Sequence, residues 1–216
     1  EAITASIAFL RSKGLFPDDK DDESDEMVFG DDDFPCDQEE EEAAEPEAAA
    51  VAEESTEDPD SDNLMVIDES GYHEKKLKVV KKEGGKKGSE LAGAADMGGI
   101  EYFTTTCETP EGDCRLLEIL CQEMNAKVDP LAEETKGGSA RVAKLVLSAS
   151  DKQLALVAYL PKSKEGGVLS AKEWMAAVFK AFGDYGEFVG DATNAWAVGK
   201  ALMDTDKAKF PIKLRD

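Results

Sequence analysis

Apolar residues return along this chain in recognisable rhythms, interrupted by one long stretch that has none. At the start, Ile3, Ile7, Leu10 and Leu15 are spaced by three to five positions with Phe9 beside them. That spacing predicts an amphipathic helix over residues 1–16, ending at Gly14 and needing a core to lie on. The rhythm resumes near residue 100. Ile100 to Thr106 is β-branched and aromatic, as a strand would be. Thr109 followed by Pro110 has the form of a helix cap, predicting a helix from Glu111 to about Ala126 with Cys114, Leu117, Cys121 and Met124 on one side. Val142 to Ser148 and Leu154 to Leu160 predict a hairpin turning through Ser150, Asp151 and Lys152. Ser170 and Glu173 form a capping box for a helix through Trp174, Val178 and Phe182. A helix from Asp191 through Trp196, Val198 and Leu202, then an edge strand from Phe210 to Leu214, complete the pattern. The expectation for residues 100–216 is an α+β domain, a small mixed sheet with helices packed on it. Trp174, Trp196, Phe179 and Phe182 belong to its core rather than to a base-stacking platform.

Charge changes the picture most between these regions. The chain carries a formal charge of −23, yet 25 acidic residues and one lysine fall between 17 and 69, leaving 23 acids and 24 bases for all the rest. This excludes a basic surface spread over the whole molecule. Residues 17–71, with Glu39 to Glu42, Pro46, Pro59 and few large apolar side chains, bury too little to offset the entropy of ordering. They predict a long, acidic, largely irregular arm or linker. Met27, Val28, Phe29 and Phe34 interrupt the acids, and Met27, Phe29 and Phe34 are candidate anchors on a protein partner; stray apolar residues in a solvated linker are the alternative. Asp58, Asp60, Asp62 and Glu69 stand at positions one, three, five and twelve of an EF-hand-like loop, where carboxylates converge on calcium. Asn63 occupies the sharp-turn position usually held by glycine, and Pro46 and Gly71 interrupt the flanking helices, so chance spacing in an acid-rich run competes.

The sign then reverses. Lys75, Lys76, Lys78, Lys81, Lys82, Lys86 and Lys87 face only Glu74 and Glu83 in the same stretch. Such a cluster can contact phosphates, although acids on the neighbouring arm compete for it. With Gly84, Gly85, Gly88, Gly93, Gly98 and Gly99 following, residues 72–99 predict a Lys/Gly-rich linker into the domain. The stretch Gly84-Gly-Lys-Lys-Gly-Ser89 lacks the spacing and the preceding strand of a phosphate loop.

Candidate chemistry is sparse. The only histidine is His73, with no nucleophile named beside it, so no catalytic constellation emerges. Cys36, Cys107, Cys114 and Cys121 lack the paired spacing of a zinc site. Cys114 and Cys121, seven residues apart on one helix, are separated by about 10 Å along its axis, too far for a disulfide. Free, buried thiols and a reducing compartment, cytoplasm or an organelle stroma or matrix, are the expectation; pairing of Cys107 or Cys36 with a partner chain is the alternative. No cofactor is implied. No apolar run reaches the roughly 18 residues of a membrane span, so the chain reads as soluble. It opens on Glu1 without a basic, apolar leader and reads as an excised or processed piece.

Three segments carry a family resemblance: Lys144-Leu-Val-Leu-Ser148, Leu154-Ala-Leu-Val-Ala-Tyr-Leu-Pro161 and Ser170-Ala-Lys-Glu-Trp-Met-Ala-Ala-Val178. Together they resemble the C-terminal, DHHA1-type domain of alanyl-tRNA synthetase, over about 75 residues. The resemblance implies strand, strand ending in proline, helix, glycine-rich loop, then helix. It also implies that Glu1-Ala-Ile-Thr-Ala-Ser-Ile-Ala-Phe-Leu10 matches the family's final helix and Lys213-Leu-Arg-Asp216 what precedes it, as in a diverged, permuted unit cut from a tandem-repeat polyprotein. In the family the loop after the tryptophan helix is associated with tRNA. Here it reads Gly183-Asp-Tyr-Gly-Glu-Phe-Val-Gly190, with two acids and no lysine, which disfavours phosphate at that place.

Two functions follow. The first is a noncatalytic interaction or assembly module whose acidic arm engages a basic surface in a larger complex. The second is an RNA-binding module of tRNA type that uses Lys75 to Lys87 in place of the lost loop.

Overall fold

A computed structural model describes residues 1–15, 69, 71–128, 136–164, 167 and 169–215. Met27, Phe29, Phe34, Cys36, Asp58, Asp60 and Asp62 lie outside the described residues. The elements, in chain order, are α1 (Ala2–Ser12), α2 (Glu74–Gly98), β1 (Tyr102–Thr106), α3 (Cys114–Asn125), β2 (Ala143–Ala149), β3 (Gln153–Tyr159), α4 (Ala171–Ala181), β4 (Glu187–Phe188), β5 (Trp196–Leu202) and α5 (Pro211–Arg215). They form one five-stranded mixed sheet, in the order β1-β2-β3-β5-β4, with helices on both faces. The fold is therefore α+β in composition, as the alternation of the chain predicts. β1 runs parallel to β2, and every other pairing is antiparallel.

The hairpin organises the rest. Along β2, Leu145 and Leu147 point to one face and Lys144 and Val146 to the other; along β3, Leu154, Leu156 and Ala158 oppose Ala155, Val157 and Tyr159. Strand side chains alternate, so a strand covered on both faces is buried at nearly every position, as both strands are. The first face packs on α4, through Trp174, Met175, Val178 and Phe179, and on α1 and α5. The second packs on α3, and α3 in turn on α2.

Helix α1 buries Ala2, Ser6 and Leu10, one residue per turn, while Ile3, Ile7 and Phe9 are only half-buried. Ser6 sits there because the indole of Trp174 needs an acceptor: Trp174 Nε1 donates to Ser6 Oγ at 2.9 Å, and Ser6 Oγ also pairs with Thr104 Oγ1 at 2.9 Å. This triad, buried at Ser6 and Trp174 and half-buried at Thr104, joins α1, α4 and β1. Ser170 caps α4 by accepting from Glu173 N at 3.2 Å, so that signal reads correctly.

Four local expectations are corrected. Residues 72–99 are no linker: 25 of them form α2, capped by His73, whose Nδ1 accepts from Lys75 N at 3.2 Å, and closed by Gly99 at φ +63°. Helix α3 starts at Cys114, not Glu111, because Glu111 and Gly112 take positive φ and Asp113 provides the cap to Arg115 N and Leu116 N. Residues 196–202, expected as a helix, form the inner strand β5. Trp196 and Val198 face α3, and Ala197 and Ala201 face α4, a period of two hidden by the small size of one set. Gly199 is small because the Phe179 ring lies against it; a methyl group there would stand 2.4 Å from Cζ. Residues 210–214, expected as an edge strand, form α5 instead, since Pro211 has no N–H for a ladder and suits a first helical turn.

Candidate functional site: the lysine face of α2

The six glycines of 84–99 were expected to loosen the chain, and three of them do the opposite. Gly84 and Gly88, one turn apart, let α2 lie directly on the backbone of α3: a methyl group on Gly84 would stand 2.5 Å from Leu120 O, and one on Gly88 2.5 Å from Met124 O. Gly85 lies under Lys136, and its carbonyl accepts from Gly137 N at 2.8 Å. Small residues spaced by four permit this close parallel packing, and Val80 and Leu91 continue the buried stripe at either end. The start of α2 is pinned to the start of α3 as well. Tyr72 Oη donates to both carboxylate oxygens of Asp113, at 3.0 and 2.9 Å, and Thr109 Oγ1 donates to Glu83. Burial, then the bond to Asp113, pushes the Tyr72 hydroxyl up to about 12, so it stays a donor at neutral pH.

With one stripe of α2 held, its opposite face is fixed in space. Lys75, Lys78, Lys82 and Lys86 are exposed there, at spacings of three, four and four. At 1.5 Å rise per residue they form a row about 16 Å long. Exposed Val79 lies within the row. Lys76, Lys81 and Lys87 are half-buried on the flanks. Four of the seven have acidic neighbours: Lys76 with Glu111 at 2.9 Å, Lys78 with Glu74 at 2.6 Å, Lys81 with Glu69 at 2.6 Å and Glu123 at 3.8 Å, and Lys86 with Glu90 at 3.9 Å. Lys75, Lys82 and Lys87 have no carboxylate within 4.0 Å among the described residues. Such exposed pairs are worth little and exchange readily for a better anion. Only the linker assignment hid this row; lysines at 75, 78, 82 and 86 already have helical spacing.

The remaining sequence candidates are not brought together. Glu69 is engaged by Lys81, and among the described residues no group of three His, Cys, Asp or Glu side chains could hold a metal. In the loop after α4, Glu187 pairs with Lys200 at 3.0 Å and Asp184 takes a positive φ. Cys107 and Cys121 are buried and Cys114 half-buried, all free. Burial pushes Cys107 and Cys121 up to about 12 and Cys114 to about 11, which keeps them as unreactive thiols.

Behind α2 lies a cluster that the sequence did not announce. Lys144, on β2, is wholly buried. Its Nζ donates to Asn125 Oδ1 at 2.5 Å, Ser139 O at 2.7 Å and Ser139 Oγ at 2.6 Å, and lies 5.1 Å from the centre of the Tyr159 ring. Ser139 Oγ donates onward to Met124 O at 2.7 Å, and Tyr159 Oη to Ala140 O at 2.9 Å. Burial pushes the Lys144 ammonium down to about 7. A lysine beside a serine is the form of a base and nucleophile, but the arrangement here is structural. Ser139 has no exposed surface, its proton is directed at Met124 O, and the amides of Gly137, Gly138 and Ser139 are all engaged by carbonyls. Lysine at the third position of the otherwise apolar run Val142 to Leu147 is the available signal.

Among the described residues no helix is long and apolar enough to cross a membrane. Neither the protein-family models nor the curated proteins include a match to this chain.

Proposed function

We propose that this chain is a noncatalytic RNA-binding module whose contact surface is the outward row Lys75, Lys78, Lys82 and Lys86. One observation carries this reading: four exposed lysines share one face of a helix whose opposite side is locked to α3. A rigid row of cations pays less ordering entropy on binding a polyanion than lysines on a loose linker. Helix α2 itself has no aromatic residue, so the row suits phosphate backbone rather than base edges. The resemblance to alanyl-tRNA synthetase C-terminal domains points to the same class of ligand, with α2 substituting for the acidic 183–190 loop. Titration with total tRNA tests it. Four phosphate contacts make binding about 50- to 150-fold weaker at 200 mM than at 50 mM salt, the lower figure for single-stranded and the upper for duplex phosphates. Changing the four lysines to Gln is expected to remove most of that salt dependence; retention of the full slope would sink the reading.

A second reading rests on the 25 acids between 17 and 69: an assembly module holding a basic surface of a protein partner. Replacing Asp31 to Asp33 and Glu39 to Glu42 by their amides would then abolish the partner complex in native mass spectrometry. Under the RNA reading it would leave tRNA affinity undiminished.

A further inference from the structure

Lys144 is the one charged side chain among the described residues that is fully buried, and no carboxylate lies within 4.0 Å of it. The titratable groups facing it are the Cys121 thiol from α3 and the Tyr159 ring from β3; loop 136–142 offers Ser139, and α3 also offers Asn125. Cys121 stays protonated to about 12 and supplies no compensating charge. Hydrogen bonding does not separate the two protonation states. An ammonium donates to all three oxygens; a neutral amine donates to the two of Ser139 and accepts from Asn125 once that amide is turned to present Nδ2. What separates them is the cost of holding a charge in a site closed to bulk solvent, where Lys144 has no exposed surface.

The same cluster is continuous with the seat of α2. Ser139 holds loop 136–142 to α3 through two bonds to Met124 O, from N at 3.1 Å and from Oγ at 2.7 Å. Met124 O and Gly137 Cα are the atoms against which Gly88 rests, and Gly137 N donates to Gly85 O. Lys144 therefore reaches the middle of α2 through one loop.

We propose that Lys144 is a proton-operated latch on α2. Proton uptake favours release of loop 136–142, and with it the middle of α2, because only in the released state does the ammonium reach water. The closed state binds the proton more weakly than the released one, so by linkage acidification opens the latch. The inference goes beyond RNA binding and does not depend on it.

Hydrogen exchange of the full chain between pH 6 and pH 10, corrected for the intrinsic exchange rate, reads the opening directly. In segments 84–91 and 136–142 the opening constant is expected to fall about tenfold per pH unit from pH 7 upward and to be flat below. Lys144→Met should remove that dependence. A flat wild-type profile, the same slope in Lys144→Met, or an opening constant in α4 as large as in those two segments, which would mean global unfolding, overturns the latch. Should Lys144→Met not fold, Asn125→Asp places a carboxylate against the amine and should raise the pH of onset by a unit or more; an unmoved onset overturns the proposal equally.

Discussion

The two faces of the sheet solve the same burial problem with different materials. Against α1, α4 and α5 the sheet presents Leu145, Leu147, Leu154, Leu156 and small alanines to Trp174, Met175 and Phe179, and its buried polar contact is a neutral triad of Ser6, Thr104 and Trp174. Against α3 and α2 it presents Lys144 and Ser148 among valines, with three free thiols nearby and glycines where helices meet. Among the described residues the first face has no fully buried charged side chain, and it depends on volume. The second depends on backbone contact and on a titratable group, which makes it the face whose stability conditions can tune.

The largest expected effect tests the first face. Trp174→Ala removes the biggest fully buried side chain, and a loss of about 3–5 kcal/mol is expected in denaturant unfolding. A loss below about 1 kcal/mol would show that α1 and α4 do not share one core. Next, Gly88→Val forces a branched side chain onto Met124 O and Gly137 Cα, neither of which can rotate aside. Overpacking of this kind costs about 1–3 kcal/mol. Exchange protection should fall in α2 before α4, whereas uniform loss would deny the two faces separate behaviour.

The smallest effect is a slope. Lys144 titrates near 7 when folded and near 10.5 when unfolded, so between those values the unfolded chain binds more protons and stability rises with pH, by on the order of 1 kcal/mol per unit. Above pH 9 the three thiols act the other way. Unfolded they ionise near 9, folded they stay protonated to about 11 or 12, and the fold loses stability. Thermal unfolding in a pH series should therefore show a maximum near pH 9, and Lys144→Met should lose the rising limb while keeping the falling one.

Several elements are legible in the sequence. The β2–β3 hairpin is written in two apolar runs around Ser150 to Lys152, and the Ser170 cap of α4 needs only Glu173 three residues later. Two of the departures share a cause. In α2 and β5 part of each contact surface is glycine or alanine, which mark a surface by what they lack, so periodicity of large apolar side chains misses them. The lysine row was visible as composition but not as a face, because a face exists only once the helix does.

The sequence by itself determined the α+β class, the segregation of acids into residues 17–69, and the concentration of lysine at 75–87, since each follows from local composition and spacing. Tertiary structure alone decided that Gly84 and Gly88 form a seat, that Lys144 is enclosed by Asn125 and Ser139, and that four of seven lysines face outward. The physical reason is common to all three: close approach and desolvation belong to pairs of surfaces, and a linear pattern contains only one surface at a time.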